Sequence, residues 1–328
     1  MFETPFHTTE IKHHSFLVTG GAGFIGSHIV DYLLKYDAGK VIVLDNLSTG
    51  FKRNIEHHFT NPNFVFIQGD ICDYDTCLEA CKNVDYVLHQ AALGSVPRSI
   101  KFPLETHKAN VTGFINMLEA AKVSCVKRFV YASSSSVYGD NIDLPKTELK
   151  IGKQLSPYAV SKRADELYAG VFADLFDMEI VGLRYFNIYG PRQNPDGPYA
   201  AAIPQFIIAV FSEKSPVIYG NGEQTRDFTF VENAVQANIK ALFVIQPLAL
   251  NNIFNIAVGE SVSVNHLFNL IQQNTQTQII ANFADLRAGE IKHSYANITR
   301  AKELLQYCPS VKINEGIAAT VAWFKNQK

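Results

Sequence analysis

Two side chains set one helical turn apart can move a proton. In Ser156-Pro157-Tyr158-Ala159-Val160-Ser161-Lys162 the spacing brings Tyr158 and Lys162 to the same face of a predicted helix. A free phenol ionises near pH 10, and bringing it to about 7 takes roughly 4 kcal/mol of extra phenolate stabilisation. One ammonium at about 4 Å, in an effective dielectric of about 20, supplies energy of that order. A bare Tyr-x-x-x-Lys is usually an ordinary surface pair, so the pattern gains weight only from its company. That company is Ser133-Ser134-Ser135-Ser136-Val137-Tyr138-Gly139, which follows a predicted strand and offers a hydroxyl to the substrate oxygen that Tyr158 deprotonates.

A second group of residues binds phosphate. Thr19-Gly20-Gly21-Ala22-Gly23-Phe24-Ile25-Gly26 ends the first predicted strand and opens directly into a helix. Gly20 allows the tight turn, Gly23 lets backbone approach a pyrophosphate at the helix N-terminus, and Gly26 lets helix pack on strand. Asp45 stands 19 residues after Gly26, at the end of the second strand, where a carboxylate accepts hydrogen bonds from an adenosine ribose. It repels a 2′-phosphate, and Asn46, Leu47 and Ser48 follow it without an Arg, so the expected cofactor is NAD. Asp70 and Ile71 after the third strand, and Ala91 and Ala92 after the fourth, lie on the same expected carboxyl edge.

The elements that must position these residues alternate. Apolar runs at Phe16 to Thr19, Val41 to Leu44, Phe64 to Gln68, Tyr86 to His89, Arg128 to Ala132 and Ile180 to Arg184 read as buried parallel strands. Helical patterns at Phe24 to Tyr36, Pro103 to Val123 and Pro157 to Phe176 separate some of them, which implies a doubly wound α/β (Rossmann) sheet. The Gly-, Pro- and Asn-rich stretch from Asn187 to Pro198 marks a smaller C-terminal α/β domain for substrate. The expected division gives residues 1–186, with about 227–250 returning, to the cofactor domain, and 187–226 with 251–328 to the other. Met1 to Ser15 reads as a short leader.

Composition narrows the classes. The 328 residues suffice to bury roughly three quarters of the unfolded surface. With 29 basic and 31 acidic residues and no basic stripe, nucleic-acid binding is not expected. The apolar run Ala200 to Phe211 is interrupted by Pro204 and too short for a bilayer. Five scattered cysteines do not make a disulfide framework and fit a reducing, cytoplasmic setting. No metal is expected: Cys72, Cys77 and Cys81 follow helical spacing, and the pairs His13-His14 and His57-His58 should point apart.

Together these motifs resemble the extended short-chain dehydrogenase/reductase family, and across essentially the whole chain they look like its nucleotide-sugar 4-epimerases. The nearest resemblance is to the bacterial UDP-N-acetylglucosamine 4-epimerases, and their uronic-acid counterparts, of surface-polysaccharide synthesis. It rests on Gly20 to Gly26, Asp45 to Gly50, His89 to Ser99, Ser133 to Gly139, Tyr158 with Lys162, and Leu183 to Asn187. It continues through Gly220 to Phe228 and Arg287 to Ser294. The Ala91 to Ser99 segment is characteristic of the N-acetylhexosamine group.

The resemblance implies a role for each matched position. Ser134 and Tyr158 would be catalytic, with Lys162 tuning Tyr158 and binding the nicotinamide ribose. Gly20, Gly23, Phe24, Ile25, Gly26, Asp45, Asn46, Ser48, Thr49, Gly50, Asp70, Ile71, Gln90, Ala91, Ala92, Asn110, Ser133 and Tyr185 would line the NAD site. The UDP-sugar would meet Gly94, Ser95, Ser135, Ser136, Asn187, Ala201, Val217, Tyr219, Arg226, Arg287 and Glu290, the two arginines clamping diphosphate. Ser294 is at the gate position, small in enzymes that accept an N-acetyl group. The implied reaction removes the O4 proton and C4 hydride, turns the 4-keto sugar over, and returns the same hydride to its other face, so NAD stays bound. Dehydratases carry Asp and Glu where Ser135 and Ser136 stand, and decarboxylases a Glu at Ser136, so elimination is not implied here. A non-catalytic NAD-binding sensor is the alternative from another class. The family also implies a homodimer through a four-helix bundle, for which Leu104, Phe114, Met117, Leu118, Leu167, Val171 and Leu175 are candidates if they are not core.

Overall fold

The structure, a computed structural model, describes residues 1–196, 201–285 and 292–327. Six strands at or within a few residues of the expected runs form one parallel sheet: β1 (Ser15–Thr19), β2 (Lys40–Asp45), β3 (Phe64–Gln68), β4 (Tyr86–His89), β5 (Arg128–Ser134) and β6 (Ile180–Tyr185). The order 3-2-1-4-5-6 places the reversal between β1 and β4, the crevice where such sheets bind dinucleotides. Helix α1 (Phe24–Lys35) follows the glycine turn, and α2 (Tyr74–Ala80) follows β3. Between β4 and β5 run α3 (Val96–Lys101), α4 (Pro103–His107), a π turn (Lys108–Thr112) and α5 (Gly113–Val123), so the expected single helix is broken in the middle. Helix α6 (Pro157–Phe176) matches its expected bounds: Ser156 Oγ accepts from Ala159 N at 3.1 Å and Pro157 pre-sets the first turn.

Alternation along each strand feeds two cores. Phe16, Val18, Val43 and Val130 face α1 on one side, whereas Leu17, Leu44, Val87, Phe129 and Tyr131 pack with Phe114, Met117 and Leu118 of α5 on the other. Those three α5 residues are core, fully buried, while Leu104, Leu167, Val171 and Leu175 are exposed.

The second lobe is made of short pieces. They are β7 (Ile188–Tyr189), α7 (Ala202–Phe211), β8 (Val217–Tyr219), β9 (Thr225–Arg226), β10 (Thr229–Phe230), β12 (Val262–Ser263), α9 (Val264–Thr275), β13 (Asn282–Ala284) and α11 (Ile313–Lys325). Tyr189, Ile207, Ile218, Phe230, Leu267 and Ile317 form its core. Helix α8 (Val231–Phe243) returns to the main sheet, packing its Ala234 and Val235 into the α1-side core. So do two stretches the sequence placed in the sugar half. Strand β11 (Asn252–Ile256) pairs in parallel with β6 as the seventh strand, and α10 (Thr299–Leu305) buries Ala301 and Leu305 beneath it.

The N-terminal segment is not a loose leader. Phe2 and Ile11 are buried, and the Phe2 and Phe6 rings meet Tyr32 of α1 at 5.4 and 5.2 Å. No helix among the described residues is long and apolar enough to cross a membrane.

Candidate active site

A cleft of about 1120 Å³ runs along the carboxyl ends of the strands. Its floor is the glycine turn. Gly20 has φ +66°, and a Cβ there would lie 2.7 Å from Ala91 N; a Cβ on Gly26 would lie 2.2 Å from Gly20 O. Only hydrogens fit at these places, which lets the turn pack against Ala91 and the start of α1 pack against the turn. Asp45 Oδ2 accepts from Ala22 N at 2.9 Å and Oδ1 from Leu47 N at 2.8 Å, which ties the ribose carboxylate to the glycine turn and leaves each oxygen a further lone pair. Burial raises this carboxyl, opposed by those two bonds. Gly23, Phe24, Ile25, Asn46, Ser48, Thr49, Gly50, Asp70, Ile71, Gln90, Ala91, Ala92, Ser133 and Tyr185 line the same cleft. The residues therefore fit a dinucleotide.

Asn110 does not line it. It is buried in the π turn, where its Oδ1 accepts from Leu93 N at 2.7 Å and its Nδ2 donates to Leu93 O at 3.3 Å and Ser161 Oγ at 3.0 Å. Its amide holds the loop after β4 against α6 and so braces the cleft wall.

Ser134, Tyr158 and Lys162 line the cleft together. Ser134 ends β5 and caps the 3₁₀ turn that follows, its Oγ accepting from Ser136 N at 3.2 Å. Tyr158 lies in the first turn of α6 and is half-buried. Lys162, 2% exposed, donates to Ala132 O at 3.0 Å and to Asp165 Oδ2 at 3.1 Å.

Of the expected sugar contacts, Gly94, Asn187 and Ala201 are on the cleft wall. Ser95 instead caps α3, its Oγ accepting from Arg98 N at 3.2 Å, and Ser136 Oγ turns to Ser134 Oγ at 3.0 Å. Neither these two, nor Ser135, Val217, Tyr219, Arg226 and Ser294, belong to the lining. Val217 and Tyr219 sit on β8 and Arg226 on β9, while Ser294 N donates to Thr225 O at 3.1 Å, so the expected gate and one expected clamp share a strand edge in the second lobe. Arg287 and Glu290 lie outside the described residues.

A profile of the NAD dependent epimerase/dehydratase family matches residues 16–257. The chain belongs to that family. A solved UDP-N-acetylglucosamine 4-epimerase from Methanobrevibacter ruminantium M1, in complex with UDP-N-acetylmuramic acid, is 40% identical with a TM-score of 0.91, over 96% of this chain and 99% of that one. The UDP-glucuronic acid 4-epimerase of Bacillus cereus, solved with UDP-glucuronic acid and NAD, is 32% identical with a TM-score of 0.89, over 96% and 100% of the two chains. A putative UDP-glucose 4-epimerase of Methanocaldococcus jannaschii is 41% identical over 94% of this chain and 98% of its own. As a member of this family the chain is an NAD-dependent enzyme.

Sequence reasoning missed the polar frame beneath this epimerase/dehydratase site. Glu166 Oε1 accepts from Ser133 Oγ and Arg184 Nε, both at 2.7 Å, and its Oε2 accepts from Arg184 Nη2 and Arg163 Nη1, both at 2.9 Å. Arg184 also donates to Tyr138 Oη at 3.1 Å, which donates to Asn255 Oδ1 at 2.5 Å, so β5, β6, α6 and β11 are cross-tied. Asp227, fully buried, accepts from Val258 and Gly259 N at 3.0 Å and is pushed up to about 6 by burial. The Leu183 to Asn187 and Arg226 to Phe228 motifs were the available signal. The family member also brings His57 and His58 together: their Nε2 atoms lie 3.0 and 2.7 Å from Asp31 Oδ1, contrary to the expected divergence, because both sit in one 3₁₀ turn (Glu56–His58) facing α1. Arg192 holds the other Asp31 oxygen at 2.8 Å.

Proposed function

We propose that the enzyme interconverts UDP-N-acetylglucosamine and UDP-N-acetylgalactosamine at C4. The observation that carries this is the meeting of Ser134, Tyr158 and Lys162 in the dinucleotide cleft, beside a sugar wall of small residues and without carboxylates at positions 135 and 136. A Cβ on Gly94 would meet nothing within 4 Å, so that wall has room for a C2 substituent. The UDP-sugar 4-epimerases among the relatives support the coarser assignment, and their different sugars leave the finer one to experiment.

When bound, NAD supplies a reversible hydride acceptor for C4. Tyr158 takes the O4 proton as the C4 hydride leaves, and returns that proton when the hydride comes back to the opposite face of the 4-keto sugar. Ser134 donates a hydrogen bond to O4 and holds it in line with the phenol. Lys162 lends positive charge to the phenolate and a donor to the ribose of NAD. Arg226 contacts the diphosphate from the second lobe, with Arg287 as the second clamp and Glu290 among the other substrate contacts, and Ser294 leaves the N-acetyl group its space.

The outer face of α6 supports a homodimer. Val160, Leu167, Val171 and Leu175, with Ile100 and Leu104 alongside, make an exposed apolar row on helices that pack together. The five thiols are unpaired, which favours a reducing compartment such as the cytoplasm.

Purified protein incubated with each UDP-sugar and no added NAD, with products separated by chromatography, tests the reading. Formation of UDP-N-acetylgalactosamine from UDP-N-acetylglucosamine is expected. Turnover of only UDP-glucose or only UDP-glucuronate replaces the substrate, and no interconversion even with added NAD favours a non-catalytic binding protein.

A further inference from the structure

Helix α6 carries two adjacent buried carboxylates that are treated differently. Glu166 has four donors and is saturated. Asp165 is 0% exposed and has one partner: Oδ2 accepts from Lys162 at 3.1 Å, and Oδ1 has no hydrogen bond. An unmatched buried carboxylate oxygen costs stability. The fold gains no tie between elements in return, because Lys162 is on the same helix. What Asp165 does reach is the ammonium that lines the cleft beside Tyr158.

We propose that Asp165 is a positioning residue for Lys162, its buried carboxylate fixing the ammonium under the cleft and offsetting part of its charge, and so setting the pH range of the Tyr158–Lys162 pair. This rests on the roles given above to Tyr158 and Lys162. With Ala132 O and Asp165 taking two of the three ammonium protons, one is left for the cleft.

The groups around Asp165 are few. Lys162 and Glu166 on α6 are the charges that act on it. Tyr131 on β5 faces both carboxylates and is kept protonated by burial, and His89 on β4, close to Lys162, is kept neutral, pushed down to about 3 chiefly by burial. The neighbouring π turn contributes the neutral Asn110 and α5 contributes Phe114, whose ring meets Tyr131 at 5.1 Å. Burial outweighs the opposing charge and hydrogen bond of Lys162 and raises the Asp165 carboxyl, so its charged form depends on keeping that ammonium beside it.

The test compares pH–rate profiles of the NAD-loaded wild type and Asp165→Asn, with NAD content and thermal midpoint measured alongside. Both limbs of the Asp165→Asn profile are expected to move to lower pH, the acid limb by on the order of one unit, the effect of one charge over about 10 Å in a dielectric of about 20, and the alkaline limb by more, because Lys162 touches the carboxylate at 3.1 Å. The acid limb moves because the phenol then faces an uncompensated ammonium. The alkaline limb moves because a buried ammonium without its carboxylate sheds its proton sooner. Should Asp165→Asn fail to fold, Asp165→Ser, which leaves room for water at the ammonium, carries the same two-limb expectation. A lower rate with both limbs unmoved overturns the proposal and leaves Asp165 a packing residue. Tyr158→Phe run in parallel separates the two readings: full activity there refutes the parent mechanism, whereas an inactive Tyr158→Phe with unmoved limbs refutes the role of Asp165 alone.

Discussion

On the cofactor side of the cleft, the residues that line it stand at the ends of neighbouring strands in one parallel sheet, or in the first turns of α1 and α6. In the second lobe, the expected sugar contacts Tyr219, Arg226 and Ser294 stand on or beside pieces of two or three residues, each paired with another fragment from far along the chain. The first surface is rigid because every strand is shared by two cores. The second has its own core but only short ladders, so substitutions in it should leave the dinucleotide site undisturbed. On the proposed assignment, chemistry and cofactor belong to the sheet, and the choice of sugar belongs to the fragments.

The comparison can be broken by substitutions that cross it. Tyr158→Phe, where the two sides meet, should lower epimerisation by about 10²-fold or more while bound NAD, measured after denaturation, stays at the wild-type level. Gly26→Ala should empty the site of NAD, since its Cβ would stand 2.2 Å from Gly20 O; a purified variant that still carries stoichiometric NAD contradicts the close packing. Arg226→Ala should raise KM for the UDP-sugar by about tenfold or more, the worth of roughly 1.4 kcal/mol or above for a charged phosphate contact, and leave NAD content unchanged. A joint loss of NAD would mean that the two sides are not independent. Ser294→Tyr should cut turnover of N-acetylated substrate by about tenfold and spare UDP-glucose, and equal effects on both would remove the gate.

Asp31→Asn should change stability alone. Burial raises the Asp31 carboxyl, but the His58 hydrogen bond and the Arg192 charge outweigh it and hold it at about 2. A carboxyl depressed on folding stabilises the fold above its unfolded value near 4, by about 2 kcal/mol here, and that contribution is lost as pH falls toward 2. Denaturant midpoints for wild type and variant should therefore differ at pH 7 and converge in acid, with kcat at pH 7 unaffected.

The cofactor side was legible because its signals are local. A glycine turn, a carboxylate at a strand end and a Tyr–Lys helical turn are each contiguous in sequence, and apolar runs of four to seven residues announce buried strands. Strand β11 was not legible because Asn252 and Asn255 interrupt Asn-Ile-Phe-Asn-Ile; Asn255 is buried, accepting from Tyr138 and donating to Lys146 O and Asn297 O, a use visible only after folding. The internal partners of Asn110, Leu93 and Ser161, were hidden for a related reason, since they meet only after folding. Phe2 and Phe6 sit in a polar stretch whose aromatic partners are on α1. Asp165 carried no signal at all, since a carboxylate in a helix is ordinarily a solvated one.

Helix α6 shows one face to the reaction and the other to solvent, with Lys162 buried and Val160, two residues earlier, more than half exposed. Whatever grips that outer row also grips the backbone that aims Tyr158. With the proposed homodimer on that row, turnover per mole of enzyme should fall on dilution below its dissociation constant, in parallel with loss of the larger species, and an assay run at nanomolar protein would report a slower enzyme than one run at higher concentration.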